Sequence, residues 1–155
     1  MDALSLKNPV FVAYMVCAAL LVLKMAAMSW LTVYRMLRIN GGMRNPEDAN
    51  PGPANPRPRP GQLDPVDYVE RIRRIHQNDQ ENLLPFLAIG WLYVLTQPDP
   101  ALAKALFYGY LLSRLLHFAA YLGARPHEWR ATLWTVGSLV MVFMAGATLW
   151  AGLRA

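Results

Sequence analysis

Residues 10–34 read VFVAYMVCAALLVLKMAAMSWLTVY, and Lys24 is the only charged residue in this run. A helix of this length measures about 37 Å, which exceeds the roughly 30 Å hydrocarbon core of a bilayer. The run is also longer than the apolar region of a secretory signal peptide, which has about 7–15 residues. We therefore interpret it as a retained membrane-spanning helix. It begins at Asn8-Pro9, where asparagine caps the helix and proline takes the first helical position.

Three further stretches have the composition of membrane-spanning helices. Residues 83–96 are apolar and extend a more polar stretch that begins near Val66. Residues 101–123 carry only Lys104 and Arg114 as charges, and residues 131–153 carry none. The sequence therefore predicts one all-α integral membrane domain over residues 1–155, a four-transmembrane-helix bundle. Its expected elements are helix 1 at about 9–38, a proline-rich loop at about 39–65, helix 2 at about 66–96, helix 3 at about 100–123 and helix 4 at about 127–153.

The overall composition excludes several other classes of protein. Hydrophobic residues make up 55% of the chain and charged residues 16%, against about 25% charged residues in an average soluble domain. Such a chain is neither intrinsically disordered nor collagen-like. A single cysteine, Cys17, cannot form an internal disulfide.

The segment between helices 1 and 2 differs in kind from the rest. It opens with Asn40-Gly41-Gly42 and contains seven prolines between residues 46 and 65. Proline density of this order prevents helix formation and favours an extended backbone. We expect a solvent-exposed connector; a PxxP docking motif, as at Pro53 and Pro56, is the alternative.

Positive charge predicts the orientation of the bundle. The loop between helices 1 and 2 shares one side of the membrane with the connection between helices 3 and 4, and ten of the fifteen basic residues lie there. These ten are Arg35, Arg38, Arg44, Arg57, Arg59, Arg71, Arg73, Arg74, Arg125 and Arg130. The positive-inside rule places loop 39–65 in the cytoplasm and both termini on the opposite side. This bias accounts for the net charge of +5 without a nucleic-acid partner, for which the sequence carries no motif.

Helix 2 begins with a polar stripe. At 100° per residue, one arc of about 120° contains Glu70, Arg71, Arg74, Gln77, Asn78 and Glu81. Polar groups that run into an apolar span are costly unless they are paired or face a wet cavity. The pattern leaves two interpretations open: a polar pocket, or an ion-pair ladder built from the i,i+4 pairs Asp67–Arg71 and Glu70–Arg74.

Helix 3 carries a second polar face. Tyr110, Arg114, His117 and Tyr121 lie at i, i+4, i+7 and i+11. Arg114 is the only charge deep in its span, so we expect a carboxylate partner, either Glu81 or Asp79. The three histidines have no metal-ligand spacing, so we expect no metal site. The combined pattern predicts an arginine-rich pocket at the cytoplasmic edge, suited to a ligand with more than one carboxylate.

Several passages resemble the family of membrane-associated proteins in eicosanoid and glutathione metabolism. They are Asn45-Pro46-Glu47-Asp48-Ala49, Val69-Glu70-Arg71-Ile72-Arg73-Arg74-Ile75-His76 with Asn78-Asp79 and Glu81-Asn82, Pro85-Phe86-Leu87, Arg114 with His117, and Ala120-Tyr121-Leu122. The resemblance covers nearly the whole chain. Within the family, the chain is more similar to the glutathione transferases than to the prostaglandin synthases. Ala131 stands where those synthases have a serine, and Gln77 stands where they have an arginine.

The resemblance implies a homotrimer that holds glutathione, as co-substrate, at subunit interfaces near the cytoplasmic face. Arg130 matches the family arginine beside the glutathione sulfur, and Tyr121 is expected to assist it as a hydrogen-bond donor. The residues expected to bind glutathione are Arg38, Arg71, Arg74, Asn78, Glu81, Arg114 and His117. Either Arg35 or Arg38 matches the family arginine near the end of helix 1.

The function implied by this resemblance is that of a glutathione transferase that conjugates hydrophobic electrophiles from the bilayer, with reduction of lipid hydroperoxides as a further activity. A glutathione-dependent isomerase and a non-catalytic lipid-binding scaffold are the alternatives within the family. A small four-helix exporter is a third, which the arginine-rich edge disfavours. The expected membrane is the endoplasmic reticulum or outer mitochondrial membrane in a eukaryote, and the inner membrane in a bacterium.

Overall fold

The computed structural model describes residues 3–154 of the chain. The four long helices are α1 Pro9–Ile39, α2 Asp67–Leu95, α3 Pro100–Leu122 and α4 His127–Gly152. One turn of 3₁₀ helix, Pro46–Ala49, lies in the loop that joins α1 to α2. The all-helical architecture expected from hydropathy is confirmed.

Local sequence explains where α1 and α3 begin. The side chain of Asn8 accepts a hydrogen bond of 2.9 Å from the backbone N–H of Val10, and Asp99 accepts one of 2.9 Å from the N–H of Leu102. Each capping residue is followed by a proline, whose missing N–H is not needed in the first turn. The two caps satisfy donors that the helix itself leaves unpaired.

The four helices form a bundle with a rhombic cross-section. Helices α2 and α3 contact each other and both flanking helices, whereas α1 and α4 do not contact one another within residues 3–154. The two outer helices are also the two that are long and apolar enough to cross a membrane. On α4 only Gly137 and Met144 are buried within the chain. An apolar surface this large is typical of a helix that faces lipid or a further protein copy.

The main core is built largely from aromatic rings. Phe86 of α2 stacks on Tyr110 of α3 with ring centroids 4.1 Å apart, and Phe107 packs edge-on against Phe86. Tyr14 of α1 joins this cluster and donates a 2.8 Å hydrogen bond to the carbonyl oxygen of Leu87. The cluster therefore ties three helices together below the polar stripe of α2.

The proline-rich connector is folded rather than extended, so this part of the prediction is wrong. Gln62 and Asn55 are buried, and their amides exchange hydrogen bonds of 3.0 and 3.1 Å. Arg59 donates to the carbonyl oxygens of Ile39 and Asn40 at 2.8 and 3.1 Å. The last carbonyl oxygens of a helix lack intrahelical hydrogen-bond donors, and the Arg59 guanidinium provides such donors here. The connector therefore caps the C-terminus of α1.

Candidate functional site

A cavity of about 440 Å³ opens between α2, α3 and α4. We call it the Arg130 cavity. Four predicted site residues line it: Asn78 from α2, His117 and Tyr121 from α3, and Arg130 from α4. The other lining residues are His127, Ala131, Trp134 and Thr135. Residues that are far apart in the sequence thus meet at one site.

Arg130 has an unpaired buried donor in this cavity. Its guanidinium carbon lies 4.5 Å from the centroid of the Tyr121 ring, and its Nε is buried without a hydrogen-bond partner among the described residues. Arg130 also lies in the first turn of α4, where the helix dipole disfavours a cation. A buried donor left unpaired costs about 1–3 kcal/mol. The arrangement therefore favours an anion in the cavity.

A buried charge network lies beside the cavity and joins α1, α2 and α3. Both carboxylate oxygens of Asp79 accept hydrogen bonds of 2.6 Å from the Nζ of Lys24 on α1. The Nη2 of Arg114 is 3.4 Å from Asp79 Oδ1. Of the two carboxylates predicted to pair with Arg114, Asp79 is therefore the one that does.

Arg114 links this network to the cavity. Its Nη2 donates a 2.5 Å hydrogen bond to Asn78 Oδ1 and lies 3.5 Å from His117 Nδ1. Its Nη1 is buried without a partner among residues 3–154. Asn78 and His117 both line the Arg130 cavity, so the network fixes two of its walls.

The polar start of α2 is partly the predicted ion-pair ladder. Asp67 accepts hydrogen bonds from Arg74 at 2.5 Å and Arg71 at 2.6 Å, which confirms the Asp67–Arg71 pair. These two hydrogen bonds, with that from Arg74 the stronger, hold the pKa of the exposed Asp67 carboxyl below its ordinary value of 3.8. Arg71 and Arg74 are thus partly neutralised when no ligand is present.

The predicted Glu70–Arg74 pair is wrong. Glu70 is paired with Arg73, three residues away, and with Arg44 of the loop at 2.7 Å. Burial acts to raise the pKa of Glu70, but the hydrogen bonds from Arg44 and Arg73 outweigh it and hold the pKa below its ordinary value of 4.5. Arg74 points instead to Asp67 and the Tyr121 hydroxyl, both of which raise the pKa of its guanidinium. Arg74 therefore lies beside the Arg130 cavity without lining it.

A second polar cavity, of about 510 Å³, lies between α1 and α2. Its lining residues are Ser29, Thr32, Arg44, Arg73, Arg74, His76, Gln77 and Gln80. Arg74 borders this cavity and also approaches Tyr121 of the Arg130 cavity. The polar stripe of α2 therefore has a polar cavity on each side.

Glu81 of α2 and the two arginines near the end of α1 do not line the Arg130 cavity of the same chain. Glu81 is exposed on α2, where it accepts a 3.1 Å hydrogen bond from Gln77. Arg35 stacks on Tyr68 at 4.1 Å and donates to its carbonyl oxygen at 2.6 Å. Arg38 is exposed, and its hydrogen bond to the Tyr68 hydroxyl is 3.5 Å long. Of the two arginines near the end of α1, Arg38 is the less engaged within its own chain.

Two residues of the site were not singled out from the sequence. Lys24 looked like an isolated charge in an apolar run, although a lysine charge buried without a partner is costly. His127 lines the Arg130 cavity three residues before Arg130 on the same helix. That i,i+3 spacing places both side chains on one face and was the available signal.

Comparison with known proteins agrees with the predicted family. The sequence profile of the MAPEG family, the membrane-associated proteins in eicosanoid and glutathione metabolism, matches residues 14–150. A prostaglandin E synthase from Macaca fascicularis is 35% identical over 154 residues, which cover 98% of this chain and 96% of the relative. The microsomal glutathione S-transferase 1 of Homo sapiens is 39% identical over 139 residues, covering 89% and 88%. The prostaglandin E synthase of Homo sapiens is 34% identical over 154 residues, covering 98% and 96%.

Both kinds of relative therefore match nearly the whole chain at similar identity. The match includes α2, α3 and the start of α4, which build the Arg130 cavity, and both kinds of relative are enzymes. Together with the helical bundle and its two apolar outer helices, these matches show that the chain belongs to the MAPEG family of membrane proteins.

Proposed function

We propose that this protein is a glutathione transferase that forms the glutathione thiolate in the Arg130 cavity. The observation that carries the proposal is the buried Nε of Arg130, which has no partner within residues 3–154 and lies in a cavity that also contains Asn78, His117 and Tyr121. The chemistry required is simple. A free thiol has a pKa of about 8.5, and only its thiolate is a good nucleophile.

Arg130 and Tyr121 have complementary roles in this proposal. A guanidinium near the sulfur lowers the pKa of the thiol, and each unit of lowering corresponds to about 1.4 kcal/mol. The Tyr121 ring holds the Arg130 guanidinium in place at 4.5 Å through a cation–π contact. The Tyr121 hydroxyl then donates a hydrogen bond to the thiolate.

The ends of the tripeptide bind the polar stripe of α2. Glutathione has two carboxylates and one ammonium group, so it needs both cationic and anionic partners. The glutathione carboxylates replace Asp67 as the partners of Arg71 and Arg74, and Glu81 binds the ammonium group. Asn78, fixed by Arg114 at 2.5 Å, hydrogen-bonds the peptide backbone. Every one of these groups is polar and already positioned by α2.

We propose further that the working form is a homotrimer with glutathione at its subunit interfaces. Within one chain Arg38 does not line the Arg130 cavity. The exposure of Arg38, the second polar cavity beside α2 and the largely unburied surface of α4 support a site completed by a neighbouring copy. The partner subunit's Arg38 would then contact the peptide.

The electrophile enters from the bilayer and is apolar. Trp134 and Thr135 continue the cavity along α4 toward the apolar part of that helix. Attack of the thiolate on carbon gives a conjugate. Attack on a hydroperoxide oxygen gives an alcohol and oxidised glutathione after a second thiol reacts. Loop 39–65 and the mouth of the cavity lie on the cytoplasmic side, where glutathione is available.

A glutathione-dependent isomerase is the second candidate, because prostaglandin E synthases match 98% of the chain. Ala131 lines the cavity next to Arg130 and offers no hydroxyl there. That absence of a donor favours transfer over isomerisation of a peroxide substrate.

The test is glutathione binding and turnover by the detergent-purified protein. Three substrates are offered: an activated aryl halide, a lipid hydroperoxide and a prostaglandin endoperoxide. We expect glutathione to bind and the first two substrates to be consumed faster than the third. Fastest turnover of the endoperoxide would make the protein an isomerase. Lipid binding without any glutathione binding would make it a scaffold.

A further inference from the structure

His127 is a titratable residue of the Arg130 cavity that the proposed function leaves without a role. It is the first residue of α4, it is exposed, and it lines the cavity together with Arg130 and Tyr121. Its side chain therefore borders both the cavity and water.

Formation of a thiolate releases a proton, and Arg130 cannot accept it because a guanidinium is already fully protonated. Tyr121 is a hydrogen-bond donor in the proposed role and is equally unsuited. Among the residues that line this cavity, only His117 and His127 carry an imidazole, whose nitrogen can accept a proton.

His117 is poorly placed for proton acceptance. It is buried, and its Nδ1 lies 3.5 Å from the Nη2 of Arg114. Arg114 and Lys24 are both paired with Asp79, and these two cations and one anion leave one net positive charge beside the His117 ring.

His127 meets the requirements that His117 does not. Its exposed ring exchanges protons with water directly. The residue is therefore suited to relay a proton.

We infer that His127 accepts the proton of the bound glutathione thiol, directly or through one water, and delivers it to the cytoplasmic solvent. The S–H bond breaks, its electron pair stays on sulfur, and the proton passes to the imidazole and then to water. This inference rests on the proposed function. It separates two tasks: Arg130 sets how much thiolate forms at equilibrium, and His127 sets how fast it forms.

The experiment mixes glutathione rapidly with detergent-purified protein and follows the ultraviolet absorbance of the thiolate. Wild type is compared with His127→Gln and with the control Glu128→Gln, which alters the adjacent residue outside the cavity lining. General-base contributions are typically about a hundredfold or more. We expect at least about a tenfold slower thiolate formation in His127→Gln, with an unchanged final amount of thiolate.

Chemical rescue distinguishes proton transfer from a structural effect. Added imidazole should restore the rate of His127→Gln in proportion to its concentration and leave wild type and Glu128→Gln unaffected. A wild-type rate in His127→Gln overturns the inference, and so does a slow rate that imidazole does not restore. Absence of thiolate in wild type would overturn the proposed function itself, a separate and recognisable result.

Discussion

At the scale of single residues, the site depends on charges that the bundle holds out of water. Lys24, Asp79 and Arg114 have only 8%, 6% and 3% of their side chains exposed. Two cations and one anion leave the group with one net positive charge. This charge lies beside Asn78 and His117, which line the Arg130 cavity. Buried ion pairs are weak stabilisers overall, but removal of one partner is costly.

The network predicts unequal effects of two substitutions. Asp79→Asn leaves two buried cations without an anion, so we expect a loss of about 3–5 kcal/mol in the free energy of unfolding. Lys24→Met leaves the neutral pair Asp79–Arg114 and should cost far less. Thermal unfolding of both variants in the same detergent measures the difference. Equal losses would show that Asp79 is not the anion that balances this group.

At the scale of elements, the position of α2 depends on a close approach to α1. Gly90 of α2 lies against Tyr14, whose ring is held by the Leu87 carbonyl and by Phe107. A Cβ at residue 90 would be 2.8 Å from Tyr14 Cε2, which is closer than atoms pack. The glycine thus sets how near the two helices can come.

Gly90→Ala should therefore destabilise the bundle by about 1–3 kcal/mol, the usual range for overpacking. Gly146→Ala is the matched control, because nothing lies within 4 Å of the added carbon in the chain and alanine is the better helix former, by up to about 1 kcal/mol. Thermal midpoints of the two variants should shift in opposite directions. A Gly90→Ala variant as stable as wild type would mean that Tyr14 moves freely.

The elements were largely predictable from hydropathy and the contacts between them were not. Apolar runs and proline breaks identified four helices, because helix length and burial are local properties. The pairing of Lys24 with Asp79 joins residues 55 positions apart. Its existence follows only once α1 and α2 are known to pack together. The folded connector was missed for the same reason, since Arg59 is held by carbonyls at the far end of α1.

The site shows the same division. The stripe on α2 and the polar face of α3 predicted which helix faces would line a polar pocket, and Asn78, His117, Tyr121 and Arg130 do line one cavity. Spacing along α2 did not reveal which acidic residue each arginine would pair with. Glu70 pairs with Arg44 and Arg73 because the folded loop brings Arg44 beside it.

At the scale of the whole molecule, a single chain brings together only part of the predicted glutathione site. Arg38 is exposed and outside the Arg130 cavity, and the apolar surface of α4 is largely unburied. A trimer that places the partner subunit's Arg38 at the cavity would complete the site.

This assembly predicts complementation between inactive variants. Arg38→Ala and Arg130→Ala homotrimers should each have little activity. Co-expression of the two should restore part of it, because some interfaces then combine an intact Arg130 with an intact Arg38 from the neighbouring copy. Turnover of an aryl halide by the co-purified mixture measures the effect. Activity no greater than that of the separate variants would place both arginines in the same chain's site, or Arg38 outside it.

The most direct test of the central claim is the equilibrium thiolate content of glutathione bound to wild type and to Arg130→Ala. If Arg130 stabilises the thiolate, the variant should still bind glutathione through α2 but hold it as the thiol, and turnover at neutral pH should fall by at least about tenfold, since one unit of thiol pKa is worth about 1.4 kcal/mol. The same thiolate content and turnover in the variant as in wild type would contradict the account.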